Sequence, residues 1–170
     1  MRTIAWNRGW LALLLALVLT ACGFQLRGAG SVPFDSMYVQ DAGAPNITRD
    51  LKRSLARSGV KLTDRAEEAQ VSLEMSHELN TKNILSLSGR GKVREYEILY
   101  QVTFRTREAG AELWGEPQTV NLRRDFSYND TALLAKAAEE SRLSADMQAE
   151  AVREVLRRVS SLNKGKAVAK

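Results

Sequence analysis

A chain of 170 residues with 44% hydrophobic side chains has room for one ordinary domain with its own core. Charged residues make up 26%, near the globular average, which excludes a disordered chain; the net charge of +5 suits an anionic partner without naming one. One histidine and one cysteine exclude His/Cys metal clusters and an internal disulfide.

Residues 1–21 read as a secretory leader. Arg2 and Arg8 make a positive start, and Trp10 to Leu19 is an unbroken apolar run. That run is too short for a hydrocarbon core, which needs about 20 residues. Small residues then precede the cysteine in Leu19-Thr20-Ala21-Cys22, an ending that resembles the bacterial lipobox. The resemblance implies cleavage before Cys22, with covalent diacylglycerol and an N-acyl chain on that residue and no other cofactor. Glycine rather than aspartate at position 23 implies, by the same resemblance, delivery to the outer membrane. A catalytic thiol is the weaker reading of Cys22, because a nucleophile needs a base nearby and the one histidine lies in an expected strand. An uncleaved anchor helix is the remaining alternative.

Residues 22–31 form a glycine-rich linker, 32–162 the folded domain and 163–170 a patternless tail. A short strand near Ser36 to Gln40 puts Met37 and Val39 on one face. Asn46 is a good N-cap for a helix to about Ser58, with Ile47, Leu51 and Leu55 as its apolar stripe and Gly59 as its C′ residue. The period then changes to two. Val71, Leu73, Met75, His77 and Leu79 share the core face of a strand, opposite Ser72, Glu74, Ser76 and Glu78, and the parity carries on through Leu85 and Leu87. After the Gly89-Arg90-Gly91 turn the return strand turns Tyr96, Ile98, Tyr100, Val102 and Phe104 inward. A second hairpin spans Ala109 to Pro117, and the next strand turns Val120, Leu122, Phe126 and Tyr128 inward. Asn129 and Asp130 cap a long helix, roughly Thr131 to Ser160, whose stripe is Met147, Ala151, Val152, Val155, Leu156 and Val159. The expected fold is α+β: a four-stranded, mostly antiparallel sheet with two helices packed on one face.

Catalytic motifs are missing. The sequence has no phosphate-binding glycine loop and no Gly-x-Ser-x-Gly elbow, and its carboxylates alternate on solvent faces or flank helices. His77, alternating with Leu and Met, reads as a core histidine rather than a ligand. Binding is therefore the expected class of function, with a lipoprotein enzyme or a cell-wall-binding lipoprotein as the alternative. Arg90, Lys92 and Arg94 gather at the first hairpin turn, and Lys136 sits early in the last helix, where the macrodipole disfavours a cation. Edge protection is the structural reading of the hairpin cations. A secreted chain does not meet genomes, so nucleic acid is excluded as a partner. Lipopolysaccharide, with its phosphates and acyl chains, is the anionic ligand that suits basic residues beside apolar ones.

The opening Cys22-Gly23-Phe24-Gln25-Leu26-Arg27-Gly28 resembles that of the LptE family of LPS-assembly lipoproteins. The order of later segments agrees: Ser58-Gly59-Val60, Glu95-Tyr96, Arg124-Asp125-Phe126, and Ala132-Leu133-Leu134-Ala135-Lys136. The resemblance implies a sheet roofed by two helices and lodged in the β-barrel of the partner LptD. It also implies help with barrel assembly and contact with lipopolysaccharide in transit. Lys136 matches a family position associated with that contact, and Arg90, Lys92 and Arg94 are the hairpin candidates. The expected location is the outer membrane, lipid-anchored on the periplasmic side.

Overall fold

A computed structural model describes residues 33–167 of the chain. The expected leader (1–21), Cys22 with its expected acylation, and the expected linker 22–31 lie outside the described residues. Strand β1 (Ser36–Asp41) alternates as expected, with Met37 and Val39 buried. The Asp41 carboxylate accepts from the backbone N–H groups of Gly43 and Ala44, at 3.0 and 2.8 Å, and turns the chain into helix α1 (Pro45–Arg57). Ile47, Leu51 and Leu55 recur at helical spacing and are fully buried; burying each such side chain contributes roughly 1.5–3 kcal/mol. The helix closes on a Schellman motif. Gly59, at φ +82°, donates to Ala56 O at 3.2 Å, and the Val60 N–H donates to Leu55 O at 3.2 Å.

The start of α1 departs from the expectation. Pro45 opens the helix and Ala44 is its N-cap, so Asn46 lies inside the first turn. Proline suits that place because its missing N–H would have lacked a partner there. The remaining orphan donors are satisfied from a distant strand, as described below.

The sheet has five strands, in the order β2-β1-β3-β4-β5. Strand β2 (Lys61–Leu62) is only two residues long, and a 3₁₀ turn (Ala66–Glu68) leads to β3 (Val71–Leu87). Hairpin partners β4 (Val93–Glu108) and β5 (Gln118–Ser127) follow. β3, β4 and β5 are antiparallel neighbours, whereas β1 runs parallel to both β2 and β3. The expected four-stranded, mostly antiparallel sheet is thus corrected to a mixed five-stranded one. Alternating burial looks the same in either direction. Direction is set by the connection, and a helix between β1 and β2 makes them a parallel crossover pair.

After the 3₁₀ turn Asp130–Ala132, helix α2 (Leu133–Ala167) runs back along the sheet and past the expected end at Ser160. Asn129 caps this entry, accepting from the Thr131 N–H at 3.0 Å. Met147, Ala151, Val152, Val155 and Val159 join α1, Ile98, Tyr100, Val102, Phe104, Val120 and Phe126 in one core. Both helices therefore pack on one face, as the alternation predicts.

The second correction lies inside β3. Met75 pairs with Phe104 and His77 with Thr103, which leaves Ser76 as a bulge. One inserted residue inverts the side chains that follow it, here as far as the next irregularity near Leu85. His77 and Leu79, expected in the core, are exposed, and Glu78 turns to the helix side. Its Oε2 accepts from the Asn46 and Ile47 N–H groups at 3.1 and 3.3 Å, and its Oε1 accepts from the Tyr100 hydroxyl at 2.7 Å. A second irregularity near Leu85 leaves Ile84, Leu85 and Leu87 exposed. Glu74 stays buried on the other face, in a bidentate pair with Arg105 at 2.8 and 3.1 Å. The guanidiniums of Arg105 and Arg107 both lie over the ring of Trp114 from the β4–β5 loop, at 5.0 and 4.9 Å.

Candidate functional site

β3 and β4 outrun the rest of the sheet. β5 stops at Ser127, opposite Glu95, so the hairpin beyond is two strands closed by a tight turn. Ser88 N–H donates to Lys92 O at 2.7 Å and Gly91 N–H to Ser88 O at 2.9 Å, with Gly91 at φ +76°. Only glycine adopts that conformation freely, which is why a Gly-Arg-Gly turn can hold Arg90 outward.

This end is tied to the start of α2. Tyr128 N–H donates to Arg94 O at 2.7 Å, and the Lys92 ammonium lies 3.0 Å from the Asp130 carboxylate. Tyr96 stacks on Phe126 with centroids 5.7 Å apart and meets Tyr128 edge-on at 5.1 Å. Lys82 sits over the Tyr96 ring at 4.8 Å and pairs with Glu140 at 2.6 Å. The early turns of α2 thus lean on the hairpin through charges and rings; the first fully buried residue of the helix is Met147.

The four cations singled out in the sequence come to one end of the domain, but they are not equivalent. Arg90, Lys92 and Arg94 are exposed, and among the described residues Arg90 and Arg94 hold no ion pair. Lys136 is only 19% exposed; it donates to Ser127 Oγ at 3.1 Å and pairs with Glu139 at 2.7 Å. Those internal partners explain how a lysine is tolerated at a helix start. Beside the cations stand exposed apolar side chains: Ile84, Leu85 and Leu87 on the hairpin, and Leu133 and Leu134 at the head of α2, Leu134 at 90%.

Sequence reasoning missed Lys82, Asp130, Glu139 and the apolar pair on α2. The Lys136–Glu139 spacing was an available signal; the others depend on how the hairpin meets the helix. A competing groove, of about 500 Å³, runs between β5 and α2. Both of its carboxylates are consumed internally: Glu154 is held by Arg157 and Arg158, and Glu150 by Arg124 at 2.6 Å, which leaves Arg153 as the one lining cation without an ion pair among the described residues. The Arg158 hydrogen bond, aided by the charge of both arginines, keeps the Glu154 carboxyl below its ordinary pKa. Among the described residues no group of His, Cys, Asp and Glu is arranged to hold a metal ion, and no helix is long and apolar enough to cross a membrane.

A family model described as LptE, lipopolysaccharide-assembly, matches residues 34–159. The LPS-assembly lipoprotein LptE of Pectobacterium atrosepticum is 31% identical over 158 residues, covering 90% of this chain and 85% of its own. The chain belongs to the LptE family. Among solved structures, lipoprotein B of Nitrosomonas europaea matches with a TM-score of 0.69 and 38% identity, over 84% of this chain and 93% of its own. Rare lipoprotein B of Shewanella oneidensis matches at 0.66 and 26%, over 76% and 98%. LptE relatives are thus named for assembly rather than for a reaction, and the mixed sheet with two helices is the architecture they share.

Proposed function

We propose that the chain is an outer-membrane lipoprotein of lipopolysaccharide assembly. Tethered through acyl groups on Cys22, it plugs and helps assemble an LptD-type β-barrel, and it contacts lipopolysaccharide through the hairpin end. The role is non-catalytic. The observation that carries the reading is the amphiphilic end itself: Arg90, Lys92, Arg94 and Lys136 beside Ile84, Leu87, Leu133 and Leu134. Guanidinium and ammonium groups suit phosphates, and neighbouring leucines suit acyl chains.

The open face of the sheet supports the plug reading. Register places Gln101 beside Asn121, and Thr103 beside Thr119 with their hydroxyls 3.1 Å apart. Arg123 bridges Glu97 and Asp125 on the same face. Such a polar surface suits the wet interior of a barrel, and an enclosed plug should bury more than the roughly 1,600 Å² of a standard interface.

The test is purification from membranes in mild detergent. The reading expects a stoichiometric barrel partner and an acylated Cys22 by mass spectrometry; an unacylated free monomer sinks it. For the ligand contact, Arg90→Glu combined with Lys136→Glu should weaken lipopolysaccharide binding at least tenfold, a loss of about 1.4 kcal/mol. Far-UV circular dichroism should not change. Undiminished binding removes these residues from the account.

A further inference from the structure

The hairpin end holds carboxylates as well as cations, and their placement bears on which ligand it accepts. Lys92 is engaged by Asp130 at 3.0 Å, across 38 residues of chain, and Lys136 by Glu139 at 2.7 Å. Asp130 stands in the 3₁₀ turn tied to the hairpin and Glu139 one helical turn beyond Lys136. Neither is a cap of the helix, since Asn129 fills that role. Arg94 lies on the strand face that carries Tyr96, the side against which α2 packs, and Arg90 projects from the turn.

We propose that Asp130 and Glu139 are built-in competitors that make this end select a ligand bearing two phosphates over one bearing a single phosphate. The inference rests on the glycolipid reading above. A single phosphate can take a free guanidinium, Arg90 or Arg94, but gains little from the lysines, whose charges are already answered. To recruit them it must displace two carboxylates that stay close by and repel it. A second phosphate supplies the attraction that outweighs this repulsion. Selectivity thus comes from a repulsive element as much as from an attractive one. Exposed pairs of this kind are individually weak, which keeps the filter adjustable rather than absolute.

The experiment compares lipid A, with two phosphates, against its monophosphoryl form, binding to the full chain purified in mild detergent. The unaltered chain should prefer the doubly phosphorylated form by about tenfold. Asp130→Asn with Glu139→Gln should tighten binding of the monophosphoryl form by about threefold to fivefold and shrink the preference. Glu112→Gln with Glu116→Gln removes an equal charge from the exposed β4–β5 loop and should leave the preference intact. An unchanged preference in the double variant overturns the inference while leaving the glycolipid reading standing. An equal effect from Glu112→Gln with Glu116→Gln also overturns it, since net charge alone is then responsible. Failure of the unaltered chain to bind either form removes the site and the inference with it.

Discussion

At Glu78 one carboxylate serves three donors from two other elements, the Asn46 and Ile47 N–H groups and the Tyr100 hydroxyl. It does for α1 what a local cap does elsewhere, so Glu78→Ala should cost about 2 kcal/mol in urea unfolding. The same contact sets a pH dependence. Burial, then the hydrogen bond to Glu78 and its charge, push the Tyr100 hydroxyl above its ordinary pKa. A folded-state pKa raised above the unfolded value means stability that is complete below about pH 10 and lost as pH rises past it. The stability of the chain relative to Tyr100→Phe should therefore decline above that pH and be level below it. Thr48 presents the opposite case. Its hydroxyl is buried and, among the described residues, has no hydrogen-bond partner. Thr48→Val keeps the shape and removes the unpaired group, and should raise stability by about 1 kcal/mol.

From Val71 to Ile84, strand β3 owes its behaviour to a single inserted residue. Before Ser76 the apolar parity builds the core; after it, the polar parity faces the helices and recruits Glu78 and Lys82. The bulge is braced by the β1–α1 turn. Ala42 N–H donates to Met75 O at 2.8 Å, and a Cβ on Gly43 would stand 2.9 Å from Ser76 O. Gly43 is at φ +123°, a conformation that side chains rarely adopt. Gly43→Ala should accordingly destabilise the fold by about 2 kcal/mol, read as a lowered denaturation midpoint. Three local signals behave as read, the Asn129 cap, the Gly59 terminus and the Met37/Val39 parity, whereas the Asn46 cap gives way to Pro45 at the start of α1. The two-residue β2 carries no periodic signal and exists only because α1 returns the chain beside β1.

Over the whole molecule, apolar and polar work are divided along α2. From Met147 onward the helix supplies the core, while its first turns rest on the hairpin through Lys136, Glu140 and the aromatic cluster. Leu133 and Leu134 are left in solvent, so a polar replacement there touches no core. Leu134→Glu should leave unfolding within about 0.5 kcal/mol of the unaltered chain. It should weaken binding of an acylated glycolipid more than binding of its deacylated sugar phosphate. Equal loss for both ligands would show that only charge is read at this end.

What the amino-acid order alone determined is whatever depends on neighbours within a turn or a strand: the Gly59 end of α1, the apolar stripes of the helices, the basic hairpin, and the family that these segments spell in sequence. Tertiary structure decided the rest. A period-two pattern carries neither strand direction nor the position of a bulge, so β1 ran parallel and His77 left the core for reasons no local window contains. The cations of the hairpin were legible one by one. Their unequal availability was not, because the Asp130 that engages Lys92 arrives from 38 residues away, and only the meeting of hairpin and helix brings those charges together.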